Sequence, residues 1–227
     1  MKHSIKRLLN LSIVIICFAS LSLYSFAATN PNADAQNKDN WCWIATSKMV
    51  GAHNGGGSGL NTGSVVLTNT GGVHSYKGVN YYGVNASSQY TADAGQHQLI
   101  MHVKSNDNDQ TGNSIDAEKA LKKAAYLSSY VNSGTKGSGS LSTTDISDLK
   151  MDLSTSNWVI GWIYKSSGGV GHCITIKSYN TSTKELYYYD PWDNAHSYFD
   201  DTGFTNYDIS LSSGSGYRLN WFTWCKY

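Results

Sequence analysis

Residues Gln36 to His53 read QNKDNWCWIATSKMVGAH, and the folding of this stretch decides the rest of the chain. Trp41, Cys42 and Trp43 are followed by small, helix-tolerant residues. Ile44, Ala45, Met49 and Ala52 recur at roughly helical spacing, so a buried helix is predicted over residues 42–53. Asn54-Gly55-Gly56-Gly57 follows, and a glycine run stops a helix. Cys42 therefore sits at the N-terminal end, where the helix dipole favours negative charge and lowers a thiol pKa. Gln36, six residues upstream, carries an amide able to donate into the same space. A buried cysteine is also a plain small hydrophobe, so this stretch alone leaves both readings open.

The chain opens with the basic run Met1-Lys2-His3-Ser4-Ile5-Lys6-Arg7, continues apolar from Leu8 to Tyr24, and reaches Ser25-Phe26-Ala27. This is the pattern of a secretory signal peptide over residues 1–27, cleaved before Ala28, with an uncleaved anchor as the alternative. Ile16 before Cys17 is too large for a lipid-attachment site. No other stretch approaches the roughly 20 apolar residues that span a bilayer, so the exported protein is expected to have no stable membrane insertion. Residues 28–227 are long enough for one domain with a sizeable core. Removing the leader's three basic residues leaves 14 against 16 acids, a charge of −2, with Arg218 the only arginine. That balance excludes a nucleic-acid partner, whose binding needs clustered Lys and Arg. A monomer is expected. Cys42, Cys173 and Cys225 survive cleavage; an odd count leaves at least one thiol free or intermolecular, with a Cys173–Cys225 bridge the expected pairing and three reduced thiols the alternative.

Residues 55–90 are rich in Gly, Asn, Ser and Tyr and read as a loop-rich insertion. Helices are predicted over residues 91–104, 114–131 (capped by Ser114) and 145–153 (capped by Thr143 or Thr144). His97 and His102 are five apart and share no helical face, so neither a metal site nor a cofactor is expected. Residues 132–142 form a Gly/Ser hinge between a helical lobe, 36–131, and a β-rich lobe, 141–227. In the second lobe, extended runs cover residues 158–164, 172–179, 186–190 and 217–227.

His172 opens one of these strands after the loop Ser166-Ser167-Gly168-Gly169-Val170-Gly171. Asp190 ends the next strand, and a hairpin places the two side by side. A carboxylate beside an imidazole fixes its tautomer and stabilises the imidazolium. A thiol at a helix start, an imidazole and an orienting carboxylate are the parts of an activated-thiol acyl-transfer site. Each residue alone also has an ordinary structural role: core cysteine, satisfied histidine, turn aspartate.

On these residues the sequence resembles the papain-like cysteine peptidases, and looks closest to their compact secreted bacterial branch, the peptidase C39-like proteins. In that family a glutamine precedes the nucleophile by six residues, as Gln36 precedes Cys42, and a tryptophan commonly follows it, as Trp43 does. The partner residues lie roughly 130–150 positions downstream; His172 is 130 and Asp190 148 beyond Cys42. Trp192, two past Asp190, matches a shielding tryptophan. The resemblance is confined to residues 36–49 and 154–192. It departs from papain itself in having Asp190 rather than Asn, and Asn40-Trp41 where a further cysteine stands. It implies an α+β fold, with a helical lobe packed on an antiparallel β-sheet lobe and a cleft between them. It further implies a thiol protease of peptide or protein substrates: Cys42 nucleophile, His172 its partner, Asp190 orienting, Gln36 and the Cys42 N–H as oxyanion donors. Trp43, Gly169, Gly171 and Trp192 would line the cleft. A CHAP-type peptidoglycan amidase or endopeptidase, and a non-catalytic surface-binding domain on the same fold, are the competing readings.

Overall fold

The structure, a computed structural model, describes residues 35–37, 39–55, 60, 63–67, 73–76, 79–82, 90–105, 109–125, 132–168, 171–193 and 195–226. All belong to the second of two units into which the chain divides, 1–30 and 31–227; the signal peptide expected over residues 1–27 lies outside the described residues.

The organising layer is a seven-stranded antiparallel sheet. A meander of β6 (Val159–Lys165), β7 (His172–Asn180), β8 (Glu185–Asp190) and β9 (Ala195–Asp200) makes one half. The long closing strand β11 (Gly214–Lys226) pairs with β6 along one edge. Its other edge is shared by β10 (Ile209–Leu211) near the start and β5 (Asn132–Lys136) near the end. With four helices among the described residues, the fold is α+β.

Period-two alternation gives the sheet two different faces. Val159, Ile163, Ile174, Ile176, Leu219 and Phe222 point to one side, under α4 (Thr143–Ser154) and its Leu149 and Leu153. Ile160, Trp162, Cys173 and Cys225 point to the other, where they meet α1 (Cys42–Asn54), α2 (Ala94–Lys104) and α3 (Ser114–Ala124). α1 is buried nearly all round. Its hydroxyls are satisfied locally: Thr46 Oγ1 donates to the Cys42 carbonyl at 2.8 Å and Ser47 Oγ to the Trp43 carbonyl at 2.6 Å. Gly51 lets α3 approach closely, since a Cβ there would stand 2.4 Å from the Ala124 Cβ.

Several expectations are corrected. Residues 132–136 are no hinge but strand β5: Trp224 lies across Gly134, leaving 3.1 Å to any added Cβ, so ladder pairing overrides the Gly/Ser composition. Residues 55–90, read as loop, contain β1 (Ser64–Leu67), β2 (Val73–Tyr76) and β3 (Val79–Tyr82), and β4 (Tyr90–Asp93) follows; β1 pairs with β4 and β2 with β3. Four-residue strands are too short for alternation to stand out in sequence. The caps of α3 and α4 are Asn113 and Ser142, each in a reciprocal capping box with Asp116 and Asp145.

The Cys173–Cys225 bridge does not form, and all three described thiols are free. Cys173 pairs with Trp162, and Trp162 with Trp221, so β7 and β11 are separated by β6. Two strand spacings are roughly 10 Å, whereas bridged Cα atoms lie within about 7 Å.

Candidate active site

The first residue of α1, the first of β7 and the last of β8 carry the site. Cys42 opens α1, with Trp41 at the cap position, where its side chain makes no capping hydrogen bond. As the first helical residue, its N–H has no acceptor within the helix and contributes to the positive end of the dipole. On the sheet, Thr175 faces Tyr189. One step further, Asp190 comes opposite Ile174, diagonal to His172 and in the same alternation set, a separation that long side chains bridge.

His172 Nε2 meets Asp190 Oδ1 at 2.6 Å. The same oxygen accepts the Trp192 backbone N–H at 2.9 Å, and Asp190 is only 2% exposed. The carboxylate is thus held by its own chain while it orients the ring. With Nε2 engaged, Nδ1 is the nitrogen left for the Cys42 sulfur, which lines the same cavity as His172.

These contacts set the charges. Burial opposes protonation of His172, but the Asp190 hydrogen bond, the Cys42 hydrogen bond and the charges of both push its pKa up to about 10. Cys42 is held well below the usual thiol range. The Cys173 side chain is the largest cause; burial opposes it, and the His172 hydrogen bond, the His172 charge and a backbone hydrogen bond from Cys173 add to it. Cys173 is pushed the other way, first by burial and then by the neighbouring Cys42. The arrangement is a thiolate and an imidazolium beside a thiol that keeps its proton.

Cys42, His172 and Cys173 line a cavity of about 640 Å³. Trp43, Gly171 and Trp192 also line it; Gly169 lies outside the described residues. Trp43 is fixed by Nε1 donating to the Gln110 carbonyl at 3.1 Å and by Gly112 beneath its ring. Gly171 is required by Tyr164, whose ring would stand 2.2 Å from a Cβ there. Trp192 is half exposed at the rim.

Gln36 is placed differently from the other three. Its backbone N–H donates to the Pro191 carbonyl at 2.8 Å, which ties it to the turn after Asp190. Its Nε2 donates to the Asp39 carbonyl at 2.7 Å, and it is not among the cavity-lining residues, although Asp39 and Asn40 are. Sequence reasoning missed Cys173 as a site residue. Its position next to His172 at a strand start was the available signal, and weighing it only as a disulfide partner obscured that.

Among the described residues, no group of three His, Cys, Asp or Glu side chains is placed to hold a metal ion, and no helix is long and apolar enough to cross a membrane. No protein-family model matches the sequence, and no curated protein matches it either.

Proposed function

We propose that this chain is an exported thiol peptidase of the papain-like kind, cleaving peptide bonds through Cys42, His172 and Asp190. The observation that carries the proposal is His172 held by a buried carboxylate and lining the same cavity as a helix-start thiol. Export rests on the leader sequence.

In this mechanism the Cys42 thiolate attacks the scissile carbonyl carbon, and the carbonyl oxygen takes the charge. The Cys42 backbone N–H and the Gln36 amide serve as its donors. One Gln36 Nε2 hydrogen is used by Asp39, so the second, or a shift away from Asp39 on substrate binding, supplies the bond. The His172 imidazolium protonates the departing amine, then as a neutral base takes a proton from the water that releases the acyl group. Asp190 keeps the ring in the orientation both steps need. Helical and sheet layers would then correspond to the two lobes of the papain-like arrangement, with the cavity as the cleft.

A peptidoglycan amidase would use the same thiol–imidazole chemistry. Purified protein is therefore offered unfolded casein and, separately, purified peptidoglycan. Release of casein peptides, lost in Cys42→Ala, is the expected result. Activity on peptidoglycan alone would reassign the substrate, and no turnover of either would leave a binding domain.

A further inference from the structure

Cys173 forms and breaks no bond in the acyl-transfer chemistry above. It follows His172 in β7, is 1% exposed within the core cluster that holds Cys42, and lines the same cavity. The packing of α1 on β7 brings the two side chains into that one cluster, each shifting the ionisation of the other. Cys225, the third thiol, lies two strands away beside the Asn54 amide.

We propose that Cys42 and Cys173 are a redox modification site, in which Cys173 resolves a peroxide-oxidised Cys42 into a reversible disulfide. Three features of the site argue for it. The sulfur at a helix start beside an imidazole is the reactive one, and it faces a cavity large enough to admit hydrogen peroxide or a small alkyl peroxide. The packing of α1 on β7 places both thiols in one buried cluster at the wall of that cavity, so the two sulfurs share one site. A thiolate oxidised to the sulfenic acid passes to irreversible acids unless a second thiol intercepts it, and Cys173 is the only other described thiol at the cavity.

The chemistry balances with the peroxide as oxidant. The Cys42 sulfur attacks one peroxide oxygen, forming the S–O bond and breaking O–O, and the released alkoxide or hydroxide takes the His172 proton. The Cys173 sulfur then attacks the Cys42 sulfur. The S–S bond forms, the S–O bond breaks, and the hydroxyl leaves with the Cys173 proton as water. The two sulfurs together lose two electrons and the peroxide gains them. A dithiol reductant reverses the bond. While it stands, the Cys42 thiolate is absent, so any activity of the site is switched off.

The test uses the full chain. Reduced protein is exposed to hydrogen peroxide at neutral pH, free thiols are alkylated, and unreduced peptides are weighed. A peptide pair joining Cys42 to Cys173, lighter by two hydrogen atoms and separated again by dithiothreitol, is expected. Cys225→Ser should give the same pair. In Cys173→Ala, Cys42 should instead be trapped by dimedone and pass to acids that dithiothreitol does not recover. That loss of reversibility would not follow from a merely structural role. The wild-type peptide map decides the matter even if the variant folds poorly. Wild-type Cys42 found only as sulfinic or sulfonic acid, or linked to Cys17 or Cys225, would overturn the proposal. The map needs no substrate: a linked pair in a protein inert towards casein leaves this inference standing and removes the peptidase, while casein cleavage without the link does the reverse.

Discussion

The two faces of the central sheet use burial for different ends. Under α4, the buried face is built from aliphatic and aromatic side chains such as Ile163, Ile174, Ile176, Leu219 and Phe222. Under α1–α3, the same strands bury two thiols, a third from α1, and a run of polar groups. Trp162 Nε1 donates to Thr223 Oγ1 at 2.9 Å. Thr223 and Thr135 share a hydroxyl contact at 2.9 Å, and Thr135 passes its hydrogen to Glu118 at 2.9 Å. Burying polar atoms costs free energy unless each finds a partner. The first face therefore supplies stability without chemical demands. The second accepts harder packing and buries Cys42 and Cys173, which share a cavity wall with His172 at the start of β7.

The sharpest way to break this comparison is to truncate one residue on each face. Cys42→Ala should abolish turnover while leaving the thermal transition nearly where it was, since one sulfur atom is removed from a wall of the cavity. Ile176→Ala should do the opposite: a loss of about 2–5 kcal/mol, typical of a large-to-small core change, with little change in kcat for the fraction still folded. Urea unfolding and casein turnover measured on both variants check it. If Cys42→Ala keeps its activity, or Ile176→Ala loses kcat as heavily as stability, the faces are not divided in this way.

Gln36 tests how far the reactive face extends. Gln36→Ala should lower kcat by about 100–1,000-fold, the cost of one oxyanion donor, with KM changed much less because the donor acts on charge formed in the transition state. A change confined to KM would make Gln36 only a tether of Asp39, as its 2.7 Å bond would then suggest. Gly51→Ala probes the packing behind the nucleophile. Its Cβ would stand 2.4 Å from that of Ala124, so overpacking of about 1–3 kcal/mol is expected, read by urea unfolding. A neutral result would mean that α1 and α3 separate freely.

Much of this arrangement was legible in the sequence, and the limits have physical causes. Helix α1 and strands β6, β7 and β8 carry long apolar runs bounded by glycine or Pro191, so their positions follow from local pattern. The pairing of Asp190 with His172 followed from one hairpin, a local connection. β5 was hidden because its order comes from β11, some 90 residues later, and not from its own Asn-Ser-Gly-Thr-Lys composition. The Cys173 environment was hidden for the same reason. Only the packing of α1 on β7 shows that its neighbour is Cys42 and that β6 stands between it and Cys225.

The smallest effect is electrostatic, and Asp190 carries it. A neutral Asn at this position would still orient His172 but add no negative charge. The raised His172 pKa, about 10 against an ordinary 6.5, owes part of its rise to the Asp190 hydrogen bond and charge. The thiolate–imidazolium pair should therefore persist from the lowered Cys42 pKa up to about pH 10, and the alkaline limb of kcat/KM should fall near that upper value. The sign for folding agrees. A group whose pKa is raised on folding contributes its full stabilisation below the unfolded value and loses it as pH rises through the folded one. Asp190→Asn should keep appreciable activity, because orientation survives, and should move the alkaline limb to lower pH. Asp190→Ala should lose more activity at every pH, because orientation goes as well. Profiles of kcat/KM from pH 5 to 11 for wild type and both variants separate these effects. If the limb in Asp190→Asn coincides with that of the wild type, the Asp190 charge has no hold on the ion pair, and Asp190 serves only as the anchor of the Trp192 turn.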